Sequence, residues 1–268
     1  MSEHPAALAD RLVRESQRFR YRLDIEYDGT NFHGMQMQPE LRTVQTCLED
    51  ALRPLFEADI RVIPSSRTDA GVHAAQQVIH FDAPIERPLQ SIVRGTNVSL
   101  PADVRVLSAR SVDETFHARF SAKWRGYVYL IEFQPTALRR HYVWQYFMRP
   151  DLNALQALAD EIRGTHSFAS FAHEVPNEEH NYECTVMRSK WTATEHGIAY
   201  HIEANRFLHG MVRLLVGTMM DITLGARSMA SCTMGEILAQ RDNRRAGTKA
   251  PAHGLTLQAV GYDGWPGL

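Results

Sequence analysis

The sequence predicts an α+β fold in two halves, each a mixed or antiparallel sheet flanked by helices. Three observations carry this. Alternating strand patterns and helical-period stretches interleave along the chain. The same mixture resumes from about residue 113. No low-complexity linker separates the two parts, so they should pack directly. The expected division is an arm or helix at 1–20, an N-terminal α+β domain at 21–112 and a C-terminal α+β domain at 113–268.

The arm, opening "MSEHPAALADRLVRES", has no apolar signal core and reads as a short amphipathic helix or a mobile extension. "YRLDIEY" then sets Tyr21, Leu23, Ile25 and Tyr27 against Arg22, Asp24 and Glu26, which is a half-buried strand ended by the turn "DGTN". Thr43 caps "VQTCLEDALRPLF", where Val44, Cys47, Leu48, Ala51, Leu52 and Leu55 fall on one helical face. A loop at 67–74 precedes the strand "QVIHFDA". "LQSIVRGTNVSLP" is a short helix stopped by Pro101, and "VRVLSARSV" is a strand.

In the second half, "KWRGYVYLIEF" alternates Trp124, Val128 and Leu130 against Arg125, Tyr127 and Tyr129. "DLNALQALADEIRG" is a helix with Asp151 at its start and Gly164 past its end. "MRSKWTATEHGIAYHIEA" is a hairpin turning at His196-Gly197. "NRFLHGMVRLLVGTMMDI" reads as one long, mostly apolar helix from Asn205. "SCTMGEILAQ" is capped by Ser231 or by a Thr233…Glu236 capping box, and "GLTLQAVGY" closes as a strand.

Composition narrows the function. The chain has 268 residues, 44% of them hydrophobic and 22% charged, as in soluble globular proteins. No apolar run approaches a membrane span. Cys47, Cys184 and Cys232 lie far apart without a CxxC pair, which fits a reducing cytosol and opposes a disulfide scaffold or zinc ribbon. The net charge of −2 lacks the positive excess of most nucleic-acid binders, so a polyanion would have to meet a local basic patch. Candidate pieces are Arg139-Arg140-His141, the group His117, Arg119, Lys123 and Arg125, and the C-terminal group Arg241, Arg244, Arg245, Lys249 and His253.

Two stretches could carry chemistry. "RTDAGVHA", Arg67 to Ala74, is a tight turn in which Gly71 can supply positive φ, and it presents the Asp69 carboxylate beside the Arg67 guanidinium. Taken alone it reads more readily as an ordinary loop, because Asp and Gly dominate turns. In the apolar helix from Asn205, Arg206, His209 and Arg213 recur on one stripe that continues to Gly217. A buried arginine must be paired or face a polar cleft, so Arg213 is either half of a structural ion pair or the partner of a carboxylate at a site.

"RTDAGVHA" resembles the catalytic loop of the tRNA pseudouridine synthase A family. "YDGTNFHGMQMQ" with "TVQTCLEDAL", "HARFSAKWRGYVY", "NRFLHGMVRLLVG" and "APAHGLTL" resemble four further signatures of that family in the right order, over roughly residues 21 to 262. The resemblance implies two halves of related topology around a basic active-site cleft. It implies a homodimer, with tRNA crossing both subunits. The implied reaction is isomerisation of uridine to pseudouridine in the anticodon stem-loop at positions 38, 39 and 40, without cofactor or metal. Asp69 matches the essential aspartate, Arg213 the arginine that pairs with it, and Tyr127 the tyrosine that contacts the base. Arg67 would assist base flipping, and Leu255 would pack against the uracil. Thr68, Arg206 and His209 are taken with them as substrate-binding residues. Ser66 stands where the family carries glycine, Met35 where it carries tryptophan, and 174–183 is acidic where it is more neutral or basic. These departures leave open which uridine is taken.

Other readings are a synthase with a different RNA target, a non-catalytic RNA-binding protein of the same fold, and an aspartate-based hydrolase. An intact Arg67, Asp69, Tyr127 and Arg213 set opposes a pure binder, because a carboxylate repels phosphates. The hydrolase lacks a second catalytic carboxylate. His166, His173, His180 and Cys184 invite a zinc reading, but their spacing matches no short ligand motif. His173 and His180 read instead as solvent-facing loop residues, and His73 and His80 as packing or backbone-bonding ones.

Overall fold

The computed structural model describes residues 18–173, 180–226, 229 and 232–266. Residues 174–179 of the acidic segment 174–183, Ser231 and the arm to residue 17 lie outside the described residues. Among the described residues ten strands and five α-helices follow one another in chain order. They are β1 (Phe19–Tyr27), α1 (Val44–Phe56), β2 (Ile63–Pro64), β3 (His73–Ala83), α2 (Leu89–Ser99), β4 (Val104–Ser111), β5 (Trp124–Glu132) and β6 (Trp144–Gln145). They continue with α3 (Leu152–Glu161), β7 (Gly164–Ser167), β8 (Glu183–Ala193), β9 (Gly197–Ala204), α4 (Met211–Thr223), α5 (Met234–Gln240) and β10 (Leu255–Gly261).

One mixed sheet runs through both halves in the order β4-β1-β3-β10-β5-β9-β8-β7, with β2 on β3 and β6 on β5. The last strand of the chain thus sits in the middle, between β3 and β5. Its pairing with β3 is parallel, Thr256 opposite His73 and Leu257 opposite Ala74. Parallel neighbours start at the same sheet edge. The segments that lead into them, 65–72 and 248–254, are therefore side by side, and that edge carries the site.

The core follows from the strand alternation. Tyr21, Leu23 and Ile25 are fully buried, while Glu26 is exposed. Tyr21, Phe56 and Phe81 form a three-ring cluster with centroids 5.4–5.8 Å apart, which seats α1 on β1 and β3. Thr43 accepts from the Thr46 backbone N–H in a capping box, fixing where α1 begins. On the other half, Trp191 stacks near Tyr200 at 4.8 Å and donates its indole N–H to Met219 Sδ, seating α4 on β8 and β9.

Several expectations need correction. Phe19 and Arg20 belong to β1, not to the arm. β3 begins at His73, inside the stretch read as loop. Gln45 and Phe56 are buried on α1, whereas Cys47 and Leu55 are half-buried. The helix expected from Asn205 begins at Met211. Gly210 is left-handed, with φ 72°, so the apolar period of Phe207 and Leu208 lies in a loop. Arg206, His209 and Arg213 are therefore not one helical stripe. Thr233, with Glu236, caps α5. β2, β6 and β7 are too short to show a period in the sequence.

His73 and His80 are buried and bonded to backbone: His73 Nδ1 accepts from Gly29 N–H and His80 Nδ1 from Ala118 N–H. Burial, the His117 ring 4.7 Å away and Arg20 push His80 down to about 4. Below about pH 6.5 the unfolded chain binds a proton here that the folded chain refuses until about pH 4. Stability should therefore be level above that window and fall through it, by on the order of 2–3 kcal/mol. Thermal melts from pH 7 to pH 4.5 should show this decline, and His80→Asn, which keeps an acceptor for Ala118, should flatten it. Equal slopes for both proteins would contradict the assignment.

Candidate active site

The loop between β2 and β3 is held from below by buried polar groups. Gln77, fully buried on β3, accepts from the Ser65 hydroxyl at 2.6 Å and donates to the Ser66 carbonyl at 2.9 Å. Thr68 is buried; its hydroxyl bonds the Tyr27 hydroxyl at 2.7 Å and its carbonyl accepts from Met35 N–H at 3.1 Å. Val72 N–H returns to the Asp69 carbonyl at 3.2 Å, and Gly71 has φ 77°. These bonds turn Thr68 inward and leave the Asp69 side chain at the surface of the edge, 15% exposed.

Asp69 meets three basic side chains. Arg213, on the first turn of α4, places Nη1 2.7 Å from Oδ2. His209 Nε2 lies 3.3 Å from Oδ1, and Lys249 Nζ lies 3.8 Å from Oδ2. Arg213 also donates from Nε to the Ala250 carbonyl at 2.8 Å, so one guanidinium ties the carboxylate to the segment before β10. The backbone closes the same link, Ala250 N–H to the Arg213 carbonyl at 3.1 Å. Gly217 makes this approach possible. A Cβ there would stand 1.6 Å from the Thr248 carbonyl oxygen.

Tyr127, on the central strand β5, is 8% exposed, with Phe207 edge-on at 5.1 Å. Burial pushes its hydroxyl up to about 12, against a hydrogen bond from Ser66 and the charge of Arg125, while the Asp69 charge adds to the rise. Tyr127 is protonated at neutral pH. Arg125 is itself buried without a carboxylate partner among the described residues. It donates to the carbonyls of Ser65, Arg119, Ala122 and Asn205, which ties the root of the Asp69 loop to segments 117–122 and 205–210.

Leu255, the first residue of β10, is buried opposite Tyr129. Arg67 and Arg206 are exposed. Burial, Arg67 and Arg206 all hold Arg119 below the ordinary arginine value, so the three guanidiniums form one cationic patch. Phe120 beside it is 75% exposed and stacks on His117 at 4.3 Å. Other clusters read from the sequence are partly neutralised: Arg139 pairs with Glu132 and Arg244 with Asp242.

The structure thus brings Asp69, Arg213 and His209 into contact, with Tyr127 buried nearby on β5. Sequence reasoning missed Lys249 and His173 as neighbours of Asp69. His173 is exposed, as expected, but its ring packs on His209 at 4.7 Å and its Nδ1 lies 3.4 Å from Lys249 Nζ. The only signal was Lys249's place just before "APAHGLTL". His166 and Cys184 face each other across β7 and β8. Among the described residues no three His, Cys, Asp or Glu side chains converge as a metal site would require.

The family model described as tRNA pseudouridine synthase matches residues 25–121 and 158–263. The tRNA pseudouridine synthase A of Chloroflexus aurantiacus is 41% identical over 253 residues, covering 91% of this chain and 88% of that protein. The Bacillus subtilis protein of that name is 39% identical over 248 residues, covering 91% and 99%. The Latilactobacillus sakei one is 37% identical over 250 residues, covering 91% and 98%.

Proposed function

The chain belongs to the tRNA pseudouridine synthase family, and on that premise we propose that it isomerises uridine to pseudouridine in the anticodon stem-loop of tRNA, at positions 38, 39 and 40, with Asp69 as the essential carboxylate. The chain is an isomerase that acts on tRNA. The observation that carries the residue assignment is the Arg213–Asp69 pair at 2.7 Å, on the sheet edge where β3 and β10 begin side by side.

The reaction breaks the C1′–N1 bond, turns the uracil, joins C5 to C1′, releases the C5 proton and leaves a proton on N1. A stacked uracil must first leave the stem, at a cost of about a few kcal/mol. Arg67 fills the vacated space and holds a phosphate, because its planar fork suits both. Asp69 acts through C1′, C6 or a sugar proton, and Arg213 holds its carboxylate in place through the 2.7 Å bond. Tyr127 contacts the base. Since its hydroxyl is protonated, it can accept the C5 proton only by passing its own onward. Leu255 packs against the ring, and Thr68 holds the loop from within.

Arg67, Arg119 and Arg206 supply the positive surface that the net charge of −2 conceals, and His209 binds the RNA beside them. The RNA lies between two halves, the N-terminal one beginning with β1 and running to residue 112 and the C-terminal one spanning 113–268. The enzyme works as a homodimer, and the exposed Leu138, Phe147 and Met148 offer apolar surface for a second copy. It acts without cofactor, in the cytoplasm. Among the described residues no helix is long and apolar enough to cross a membrane. The position assignment is tested by carbodiimide modification and primer extension on tRNA transcripts. New stops at 38, 39 or 40 are expected. Stops only elsewhere would assign another target uridine.

A further inference from the structure

Asp69 is surrounded by more positive charge than it can neutralise. Oδ2 already accepts from Arg213 at 2.7 Å, and Lys249 Nζ stands 3.8 Å from the same oxygen, beyond hydrogen-bond reach. Among the described residues the nearest partner of the ammonium is His173 Nδ1 at 3.4 Å. Lys249, burial and His209 hold His173 below the ordinary histidine range, so its ring is an acceptor here. An ammonium has three donors, and His173 takes one. Among the described residues Arg213 and Lys249 together carry one charge more than Asp69 removes. The Lys249 side chain is three-quarters buried, where an uncompensated charge is costly.

Lys249 is also rigidly placed. The two Arg213–Ala250 bonds fix the backbone on its C-terminal side, and the Thr248 carbonyl lies against Gly217. Its Cε and Nζ cross Gly210, where a Cβ would come within 3.0 Å of both. Uracil is neutral and ribose is neutral. The only anions a tRNA brings to this edge are its phosphates.

We propose that Lys249 binds a phosphodiester of the tRNA backbone beside the target uridine, as a second cation of the active site next to the committed Arg213. This rests on the reading of Asp69 as the catalytic carboxylate. The bound phosphate takes up the surplus charge, and the spare ammonium donors point it at the strand being held.

The test compares wild type, Lys249→Met, Lys249→Arg and Asp69→Asn, all as the full chain with a tRNA transcript. Equilibrium binding is measured across a salt series, and KM and kcat at one salt. Lys249→Met should weaken binding by about three- to tenfold and lower the slope of log Kobs against log salt by about one. It should raise KM more than it lowers kcat, and Lys249→Arg should restore the slope. An unchanged slope in Lys249→Met overturns the proposal, whether kcat falls (Lys249 then only holds Asp69) or stays the same. Asp69→Asn separates the two readings. Wild-type turnover in Asp69→Asn would refute the catalytic carboxylate itself. A dead Asp69→Asn beside a full-slope Lys249→Met would refute only the phosphate contact.

Discussion

Asp69→Asn should lower single-turnover isomerisation by at least about 10³-fold while tRNA binding stays at wild-type strength or tightens. Asparagine keeps the shape of the side chain and can still accept from Arg213, so the loop should not move. Its anchors are elsewhere: Gln77 on Ser65 and Ser66, Tyr27 and Met35 on Thr68. What is lost is the charge that attacks or deprotonates. Binding should not suffer, because a carboxylate repels phosphates. Stability should fall by about 1–3 kcal/mol, because the amide still accepts from Arg213 but no longer offsets the largely buried charges of Arg213 and Lys249. Rapid-quench kinetics and filter binding measure the two quantities separately. Parallel loss of both would mean that Asp69 shapes the RNA surface instead of doing chemistry.

Arg213→Met should also cost about 10²-fold or more in rate, but with a different signature. The guanidinium bonds Asp69 and the Ala250 carbonyl at once, and its side chain is 16% exposed. Removing one partner of a largely buried pair leaves the other exposed to desolvation, at about 3 kcal/mol. His209 and Lys249 remain near the carboxylate and soften that figure. Urea denaturation should therefore show a clear loss of stability, at least as large as that of Asp69→Asn because the Ala250 contact is lost as well. Arg213→Lys should recover little, because an ammonium cannot span both acceptors. In the double variant with Asp69→Asn, Arg213→Met should cost little further rate, since both act through one carboxylate. Additive rate losses would contradict the pairing.

Much of this was legible in the sequence because its signals are local. Thr43 and Thr233 sit three residues before a side chain that caps back, and both helices begin where that pattern says. β1 follows its period of two, and "RTDAGVHA" announces a turn with a carboxylate. The rest depends on distance along the chain. Lys249 and His173 reach Asp69 only because β10 inserts parallel to β3 and α4 begins at the same edge. No window of sequence contains that. Gln77 and Arg125 look like ordinary strand residues until their buried donors are counted. The start of α4 was misplaced because Phe207 and Leu208 continue an apolar period through a loop. Gly210, left-handed in the structure, was the one local sign against it.

The most direct test of the account is tritium release from tRNA transcripts labelled at uracil C5, incubated with the wild-type chain. Joining C5 to C1′ expels the C5 hydrogen, so release reports the isomerisation itself. The account predicts release from anticodon stem-loop uridines by the wild type and none by Asp69→Asn. No release from any tRNA, or equal release by both proteins, would contradict it.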